Sequence, residues 1–372
     1  MSSTLRIAHV DTGMSLRGGQ RQLLFLAPAL RTRGHEQIIV CCEGSGLEAR
    51  ASSEGFRVIT LPAHDPAHAL GILLLREQIK QSGIQLLHAH DGRGQTISWL
   101  ATMGLPVRRV ASRRVTFTPR DGWTYRVKYE HTCDAVIAVS EYVRDLVAGS
   151  GVPRDRVEVI PDGIELPAKL ATPAEKARVR MTWGWGDELF VVGQLGAFTS
   201  EKGQDTALDA FRLVADSLPR ARLVLAGDGP INPPRDLADK IKRLGARVVT
   251  LDNLENLADF FPGLDLFIMP SRSEGLGSSA LWAMSYGLPV VASRVGGLQE
   301  VVAQDETGWL VPPDSPEALA TTIIRAASDR AQLLQFGGNG RRRSEGFSTD
   351  IMANRTESLY RRVLHGVVKD QG

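Results

Sequence analysis

Short apolar segments alternate with longer amphipathic segments along most of this chain, and the alternation runs through twice. Apolar runs bounded by turn residues are typical of buried strands, and their alternation with helical patterns indicates βαβ units on a parallel sheet. Turn residues at Ile160-Pro161-Asp162-Gly163 interrupt the first series, and Phe190 opens the second. The pattern therefore predicts an α/β protein with two doubly wound, Rossmann-like domains that face each other across a cleft, where such sheets bind ligands.

The first series predicts a domain over residues 1–165. Its helical patterns cover Arg21–Arg33, Ala67–Gln81, Gln95–Met103 and Tyr142–Ala148. Its apolar runs predict strands at Leu5–Val10, Gln37–Cys42, Val58–Leu61, Leu86–Ala89, Val107–Ala111, Ala135–Val139 and Val157–Ile160. A polar, weakly periodic segment follows and predicts a linker over residues 166–187.

The second series predicts a domain over residues 188–347. Its helical patterns cover Gln204–Ser217, Arg235–Leu244, Ser279–Tyr286 and Pro316–Ser328. Its apolar runs predict strands at Phe190–Leu195, Arg222–Ala226, Val248–Leu251, Asp265–Ile268 and Val290–Ala292. A start signal at Ser348-Thr349-Asp350 and the pattern behind it predict a C-terminal helix within residues 348–372.

Length, charge and cysteine content exclude several classes of protein. The 372 residues suffice for two domains with separate cores. A net charge of +2 offers no general field for nucleic acid, so no nucleic-acid partner is expected. The three cysteines are odd in number and lack metal-binding spacing, which favours a reducing compartment. The sequence shows neither a signal peptide nor a run long enough to span a membrane, so we expect a cytoplasmic protein.

The segment Asp265–Pro313 carries the strongest functional signal. A buried strand ends at Pro270, a carboxylate follows at Glu274 in the glycine-rich turn Gly275-Leu276-Gly277, and a helix begins at Ser278. Free backbone N–H groups and the positive end of the dipole make such a helix start an anion site. A carboxylate accepts hydrogen bonds from two hydroxyl groups, although it also serves as a helix-start charge. Anion site and carboxylate side by side predict a sugar-nucleotide site.

Three further loops follow predicted strands and precede predicted helices. The paired glycines Gly18 and Gly19 permit close approach of a phosphate. Lys202 stands where the helix dipole disfavours a cation, and a diphosphate bound to both would resolve that conflict. A nucleotide would lie on the backbone of Gly227-Asp228-Gly229. Taken singly, each loop has a plain alternative: a glycine-rich turn, a lysine that bends into solvent, and a sharp structural turn.

Two histidines end the strand that precedes Asp91, and the alternation of a strand points His88 and His90 to one side. His88 is expected in the core. His90 lies nearer the strand tip and is a candidate catalytic residue at the cleft. No other clustered ligands accompany the pair, so no metal site is predicted.

Basic residues crowd the segment that follows the fifth strand. Three of them, Arg113, Arg114 and Arg120, are candidates to receive an anionic group of an acceptor. Aromatic residues interleave with the basic ones from Arg120 to Tyr129, which also suits peripheral contact with an anionic membrane. A solvated basic surface is the plain alternative, and the patch is small for nucleic acid.

Together these segments resemble a glycosyltransferase of the GT-B fold, of family 4, also called group 1. The likeness spans nearly the whole chain, and the segment Asp265–Pro313 is its most specific part. Weaker motifs add to it through their order along the chain: Gly18-Gly19, Arg33-Gly34-His35-Glu36, Val139-Ser140-Glu141, Ile160-Pro161-Asp162-Gly163-Ile164, Glu201-Lys202-Gly203 and Gly227-Asp228-Gly229-Pro230.

The resemblance implies a retaining enzyme that uses a nucleotide-diphosphate sugar as co-substrate and needs no metal or other cofactor. Glu274 matches the glutamate that holds the donor sugar, and Lys202 matches the lysine that binds the diphosphate. The backbone of Gly275, Leu276 and Gly277 matches the part that meets sugar and phosphate, and Gly18 with Gly19 matches the N-terminal phosphate loop. The C-terminal helix of this fold commonly crosses back onto the N-terminal domain.

Three positions depart from the family's pattern. Trp282 stands where a second glutamate holds the ribose, and an indole cannot accept two hydrogen bonds from ribose, so it would stack or pack instead. Ala197 replaces an arginine, as it does in part of the family. A histidine often found after the fifth strand is replaced in Ala111-Ser112-Arg113-Arg114.

The leading hypothesis is transfer of a sugar from a UDP- or GDP-sugar to a hydroxyl group of a glycan or lipid-linked acceptor, in the synthesis of cell-envelope polysaccharide such as lipopolysaccharide. Two alternatives stay open on the sequence. Trp282 and Ala197 also suit a protein that binds nucleotide or glycan without catalysis, and the same architecture serves nucleotide-sugar epimerases.

Overall fold

The computed structural model describes residues 3–62, 69–116, 129, 131–227, 233–252, 254 and 256–366. The chain forms two compact units, the first of Met1–Glu165 with Thr349–Gly372 and the second of Leu166–Ser348. Each unit is built on one parallel sheet that carries helices between its strands. The two doubly wound, Rossmann-like domains that the alternation predicts are therefore confirmed.

The first unit has seven parallel strands in the order β3-β2-β1-β4-β5-β6-β7. Their bounds are β1 (Arg6–Val10), β2 (Glu36–Cys42), β3 (Arg57–Leu61), β4 (Leu86–Ala89), β5 (Arg108–Arg113), β6 (Ala135–Ala138) and β7 (Val157–Val159). The order switches direction between β1 and β4, which is where sheets of this kind bind ligands.

The α-helices of this unit whose bounds are described are Gly18–Thr32, Gly46–Ser53, Ala69–Ser82, Gly92–Thr102, Glu141–Gly149 and Thr349–Leu364. Side-chain oxygens of Ser45, Asp91 and Ser140 accept backbone N–H bonds at three of the helix starts. Successive residues of β1 supply both faces of the sheet, since Ile7 packs into one apolar cluster and Ala8 into another.

The C-terminal helix Thr349–Leu364 packs on the first unit. Met352, Leu359 and Tyr360 join the buried cluster that contains Ile7. The guanidinium of Arg33 donates to the backbone and side chains of this helix, including the carbonyl of Asp350. The helix therefore packs into the core of the first unit, although the second unit separates it from Glu165 in the sequence.

The second unit has six parallel strands in the order β10-β9-β8-β11-β12-β13. Their bounds are β8 (Phe190–Leu195), β9 (Ala221–Ala226), β10 (Val248–Leu251), β11 (Leu266–Met269), β12 (Val290–Ser293) and β13 (Gly308–Val311). The helices are Pro173–Thr182, Gln204–Ser217, Arg235–Leu244, Ser278–Ser285, Leu298–Val301, Pro316–Ser328 and Arg330–Glu345. Here the order switches between β8 and β11.

All twelve predicted strands are present, each within two residues of its predicted ends, but β13 was not predicted as a strand. The helix Arg330–Glu345 was also missed, because its glycines argue against a helix. Packing explains two of them: a Cβ at Gly337 would lie 2.0 Å from the carbonyl oxygen of Gly287, and one at Gly340 would lie 3.2 Å from the Met284 side chain. Close contact between elements outweighs helix propensity here.

The segment predicted as a linker, residues 166–187, contains the helix Pro173–Thr182, which a capping box at Thr172 begins. Its Arg180 is 1% exposed and donates to the carbonyl of Gly263 at 2.9 Å and to the Asp265 carboxylate at 2.6 Å. This segment is thus held in the second unit by a buried, charge-assisted network. No helix among the described residues is long and apolar enough to cross a membrane.

Candidate active site

In the second unit, a lysine and a glutamate from two neighbouring strand ends are in direct contact. Glu274, in the loop after β11, is 7% exposed. Its Oε1 accepts hydrogen bonds from Lys202 Nζ at 2.7 Å and from the Ser271 hydroxyl at 2.8 Å. Both residues were predicted for this site, and the structure brings their charged ends together.

The loop that carries Lys202 is fixed from both sides. Gln194, at the end of β8, donates from Nε2 to the Lys202 carbonyl at 2.7 Å. Gly203 follows with a left-handed backbone (φ +66°), and a Cβ there would lie 2.0 Å from the carbonyl oxygen of Pro270. The glycine therefore lets the loop after β8 touch the loop after β11, which sets the distance between lysine and glutamate.

The turn Gly275-Leu276-Gly277 leads into the helix Ser278–Ser285. Gly277 adopts φ +99°, and no side chain caps the helix start. Gly297 donates its N–H to the Glu274 carbonyl at 3.1 Å, and a Cβ there would come within 2.2 Å of the Gly275 carbonyl. The turn is thus buried and tightly packed. The helix without a side-chain cap begins at Ser278, four residues after Glu274.

The second unit holds four further residues that were predicted to bind the donor: Gly227, Asp228, Gly229 and Trp282. A Cβ at Gly227 would meet the Gly196 carbonyl at 3.3 Å, and one at Gly196 would meet the Lys202 side chain at 3.5 Å. Gly227 therefore borders the same loop. Asp228 and Gly229 lie outside the described residues. Trp282 is half-buried on the helix Ser278–Ser285.

An arginine that the sequence did not single out ties these loops to neighbouring elements. Arg272 donates to both carboxylate oxygens of Asp205, at 3.0 and 2.7 Å, and its Nε lies 2.6 Å from Asp314. The contact lowers the pKa of Asp205, chiefly through the hydrogen bond. Arg272 also donates its backbone N–H to the Glu201 carbonyl at 2.8 Å. Its place between two motif loops was the only signal in the sequence.

In the first unit, a second group of polar residues follows β1 and β4. Val10 pairs with Ala89 across these strands, so the next residues, Asp11 and His90, lie at the same edge of the sheet. Asp11 Oδ1 accepts from Gln20 Nε2 at 2.7 Å and from the Gly13 N–H at 2.8 Å. Burial, then the charge of Asp91, raises the pKa of Asp11. Asp11 was not predicted, although a carboxylate directly after a buried strand was visible.

The predicted glycine pair begins the helix Gly18–Thr32. A Cβ at Gly18 or Gly19 would meet no atom within 4 Å, and neither residue has a positive φ. Packing and backbone geometry therefore do not require glycine at these two positions. Gln20, the next residue, ties the helix start to Asp11.

Three buried histidines form a cluster behind this edge. His88 and His90 point to the same side as predicted, with ring centroids 4.0 Å apart, and His9 from β1 joins them. His88 is held by Tyr360 and Ser112, and His90 Nε2 lies 3.0 Å from His9 Nδ1. Burial lowers the pKa of all three, that of His9 to about 4. The sequence missed His9 because the two strands are distant in sequence.

Of the predicted acceptor residues, Arg113 and Arg114 lie at the end of β5, and Arg120 is outside the described residues. Arg113 is buried. Arg114 donates from Nε to Asp162 at 2.9 Å, and its charge acts on Asp11 and His90. The structure therefore places His90 and Arg114 in one group in the first unit, and Lys202 and Glu274 in another in the second.

Fold and site together define an α/β enzyme class with paired Rossmann-like domains, and comparison with known proteins gives the family. A model described as Glycosyltransferase Family 4 matches residues 16–167, and one described as Glycosyl transferases group 1 matches residues 187–329. The chain belongs to the group 1 glycosyltransferases of the GT-B fold, as the resemblance implied.

Relatives agree with this assignment, and solved structures share the fold. The chain is 26% identical to a GDP-mannose-dependent α-(1-6)-phosphatidylinositol monomannoside mannosyltransferase of Mycolicibacterium smegmatis, over 87% of this chain and 90% of that protein. It is 27% identical to a D-inositol 3-phosphate glycosyltransferase of Streptomyces avermitilis, over 82% of this chain and 71% of that protein. The crystal structure of Anabaena Alr3699/HepE with UDP and glucose has the same fold, with a TM-score of 0.85, 21% identity and coverage of 96% and 99%.

Proposed function

We propose that this glycosyltransferase moves a sugar from a UDP- or GDP-sugar to a hydroxyl group of a glycan or lipid-linked acceptor, with retention of anomeric configuration. The observation that carries the proposal is the contact of Lys202 with Glu274 at 2.7 Å, beside an uncapped helix start at the carboxyl edge of the second sheet. A cation, free N–H groups and a carboxylate suit a diphosphate and the sugar attached to it.

The ion pair has a direct role in this proposal. The Lys202 side chain is 27% exposed, so its ammonium group can leave Glu274 for a diphosphate without a large desolvation cost. That exchange frees the Glu274 carboxylate to accept hydrogen bonds from sugar hydroxyls. Lys202 then stabilises the negative charge that grows on the leaving diphosphate, while Glu274 orients the sugar.

The turn around Gly277 supplies the second source of positive potential. The helix Ser278–Ser285 begins there with no side-chain cap, so its first N–H groups point out of the helix start. Together with Lys202 they provide the charge stabilisation that a divalent cation gives in other transferases. We therefore propose that the reaction needs no metal.

The relatives support a nucleotide-sugar donor without identifying it. The Anabaena structure holds UDP and glucose, and the Mycolicibacterium relative is named for GDP-mannose. Trp282 stands at the position where the family has a glutamate that binds the ribose. We propose that its indole packs against the nucleoside instead of accepting hydrogen bonds from the ribose.

The first unit supplies the residues for a proposal about the acceptor. Arg113 and Arg114 at the end of β5 are the proposed contacts for the acceptor, with Arg120 beyond the described part. We propose a role in cell-envelope polysaccharide synthesis, at the cytoplasmic face of a membrane that holds the lipid-linked acceptor. Co-sedimentation with vesicles of phosphatidylglycerol and phosphatidylcholine tests the peripheral contact, which should weaken as salt rises.

A donor screen tests the proposed function. UDP-glucose, UDP-galactose, UDP-N-acetylglucosamine, GDP-mannose and GDP-glucose are incubated with the protein, with and without membrane extract, and nucleotide release is measured. We expect one donor to give release that rises with extract and persists in EDTA. Binding of every donor without turnover would support a non-catalytic protein, and conversion of the sugar without an acceptor would support an epimerase.

A further inference from the structure

Two acceptor atoms and one donor atom are left unpaired at the carboxyl edge of the first sheet. They are Asp11 Oδ2, His90 Nδ1 and Arg114 Nη1, all buried and without a hydrogen-bond partner among the described residues. Asp11 is 1% exposed and His90 6% exposed. Unpaired buried polar atoms are rare because each costs free energy, so a group of them at a sheet edge points to a ligand.

A chain of hydrogen bonds determines which nitrogen of His90 carries the proton. Gln37 donates from Nε2 to the Ala27 carbonyl at 2.8 Å, which can only accept, so the Gln37 oxygen faces His9. That oxygen lies 3.0 Å from His9 Nε2 and must accept its proton. His9 is neutral at pH 7, since burial lowers its pKa to about 4, and its Nδ1 is therefore an acceptor.

The same reasoning continues to His90. His9 Nδ1 lies 3.0 Å from His90 Nε2, so His90 must donate from Nε2. A neutral imidazole carries only one proton, which leaves His90 Nδ1 as a bare lone pair. Nδ1 is the unpaired atom. This chain of hydrogen bonds, from the Ala27 carbonyl through the side chains of Gln37 and His9, therefore fixes the tautomer of His90. In that tautomer Nε2 donates and Nδ1 is an acceptor.

The chemistry of the unpaired atoms selects the class of ligand. Two of them accept and one donates, whereas a phosphate or carboxylate could only accept from Arg114 and would be repelled by Asp11. A cation is opposed by the Arg114 charge, which acts on both Asp11 and His90. A polyol offers several hydroxyl groups, which can donate to Asp11 and His90 and accept from Arg114, so the chemistry of a sugar suits all three atoms.

A metal ion is the competing ligand for the histidines. One nitrogen from each of His9, His88 and His90 lies within 4.8 Å of the others. Both nitrogens of His9 and both of His88 already have hydrogen-bond partners, however, and a metal would have to break the His9–His90 bond. The hydrogen-bonded arrangement accounts for the cluster.

We propose that Gln37 and His9 are positioning residues that hold His90 with Nδ1 as a hydrogen-bond acceptor, and that His90 Nδ1, Asp11 Oδ2 and Arg114 Nη1 bind hydroxyl groups of the sugar acceptor. The identity of the ligand rests on the proposed function. The tautomer of His90 does not depend on the proposed function, so experiments can contradict one without contradicting the other.

Nitrogen NMR of the full-length protein tests the tautomer. The eight histidines are labelled with ¹⁵N, and long-range proton–nitrogen spectra at pH 7 are assigned with His9→Gln and His90→Gln. We expect His9 and His90 each to show a protonated Nε2 and an unprotonated Nδ1. The Gln37→Leu substitution should lose this signature at His9 and His90, and Gln37→Glu, which keeps an acceptor, should restore it.

A protonated Nδ1 on His90 in the wild-type protein would overturn the proposal, as would one equivalent of tightly bound zinc with metal-shifted ring signals. His131, on the protein surface, supplies the control, because His131→Gln should leave both signatures unchanged. Donor turnover is measured separately, and its absence would remove the proposed function while leaving the tautomer assigned.

Titration with methyl α-D-mannopyranoside as a hydroxyl-bearing probe tests the ligand. We expect the His90 Nδ1 signal to move towards the range of a hydrogen-bonded acceptor as the probe saturates. Asp11→Asn should weaken binding of the probe about tenfold, the effect of one hydrogen bond. A His90 signal that stays fixed at saturation, or equal affinity in Asp11→Asn, would overturn the assignment of this site. The affinity of Asp11→Asn for UDP and GDP serves as its folding control.

Discussion

Lys202 Nζ lies 2.7 Å from Oε1 of Glu274, although 72 residues separate the two in sequence. The pair joins the two loops on either side of the switch in strand order between β8 and β11. In this contact the two side chains form an ion pair. Binding of a donor should therefore replace this ion pair with contacts from Lys202 to the diphosphate and from Glu274 to the sugar. Substitutions of the two residues should thus have different effects on binding and turnover.

Replacement of Lys202 by methionine should weaken both binding and turnover. The diphosphate loses its cationic partner in the ground state and at the transition state, so we expect kcat/KM with the best donor to fall about 10²–10³-fold. Calorimetry should also show weaker UDP or GDP binding. Lys240, which pairs with Asp209 on the surface of the same unit, gives the matched control, and Lys240→Met should leave both measurements unchanged. Unaltered turnover in Lys202→Met would exclude the assigned role.

Replacement of Glu274 by glutamine should separate binding of the nucleotide from use of the sugar. The carboxylate that orients the sugar is lost, so turnover should fall about 10–100-fold, the value of a charge-assisted hydrogen bond. Affinity for UDP or GDP without a sugar should hold or rise, because Lys202 is released from its ion pair. The surface change Glu306→Gln is the control. Parallel losses of nucleotide affinity and turnover would contradict this division of roles.

Trp282 should leave the wild-type enzyme with little preference for ribose. An indole offers no acceptor to the two ribose hydroxyls, so UDP and 2′-deoxy-UDP should bind with similar affinity. Trp282→Glu introduces a carboxylate at the same helix position and should favour UDP over the deoxy analogue by about tenfold. Calorimetry with both nucleotides measures the ratio. A strong ribose preference in the wild-type protein would show that another residue holds the ribose.

The fold was predictable because its strands are short apolar runs bounded by turns, a local pattern that reads the same in sequence and structure. The helices that were not predicted depend on tertiary contacts. The helix Arg330–Glu345 contains two glycines that pack closely against Gly287 and Met284. The segment predicted as a linker contains the helix Pro173–Thr182, which Arg180 anchors to Asp265. Neither contact partner is near in sequence.

The site divides in the same way. Glu274 and Lys202 each sit in a local motif, so both were found, and their contact follows from the strand order. Asp11 and His9 have no motif around them. They belong to the edge of the first sheet only because β1 pairs with β4, a fact that the sequence does not state.

Gly203 should be the least tolerant glycine of the second unit's site. An alanine there adopts a left-handed backbone at φ +66° and places a Cβ 2.0 Å from the Pro270 carbonyl oxygen. Gly184 has a similar φ of +75° with no atom within 4 Å of its Cβ position, so it isolates the effect of backbone strain. Gly203→Ala should cost about 1–3 kcal/mol more than Gly184→Ala in urea unfolding, the cost of overpacking. Equal midpoints would show that the two loops separate easily.

The buried histidines should make the first unit sensitive to mild acid. His9 has an ordinary pKa of 6.5 when unfolded and a pKa of about 4 in the folded protein, where burial disfavours the charged ring. Above pH 6.5 both states are neutral and His9 contributes no pH dependence. Between pH 6.5 and 4 the unfolded chain takes up a proton that the folded protein does not, so stability falls as the pH falls.

For His9 alone this loss approaches about 3 kcal/mol at pH 4, at about 1.4 kcal/mol per pH unit, and His88 and His90 act in the same direction because burial lowers their pKa as well. Urea unfolding free energies measured between pH 7.5 and 4.5 test the prediction. His9→Gln should be less stable at pH 7, since it breaks the bond to His90, but its stability should depend less steeply on pH than that of the wild type. His131→Gln, on the surface, should keep the wild-type slope. An unchanged slope in His9→Gln would mean that the pKa of His9 is the same in the folded and unfolded states, which would contradict the effect of burial on the ring.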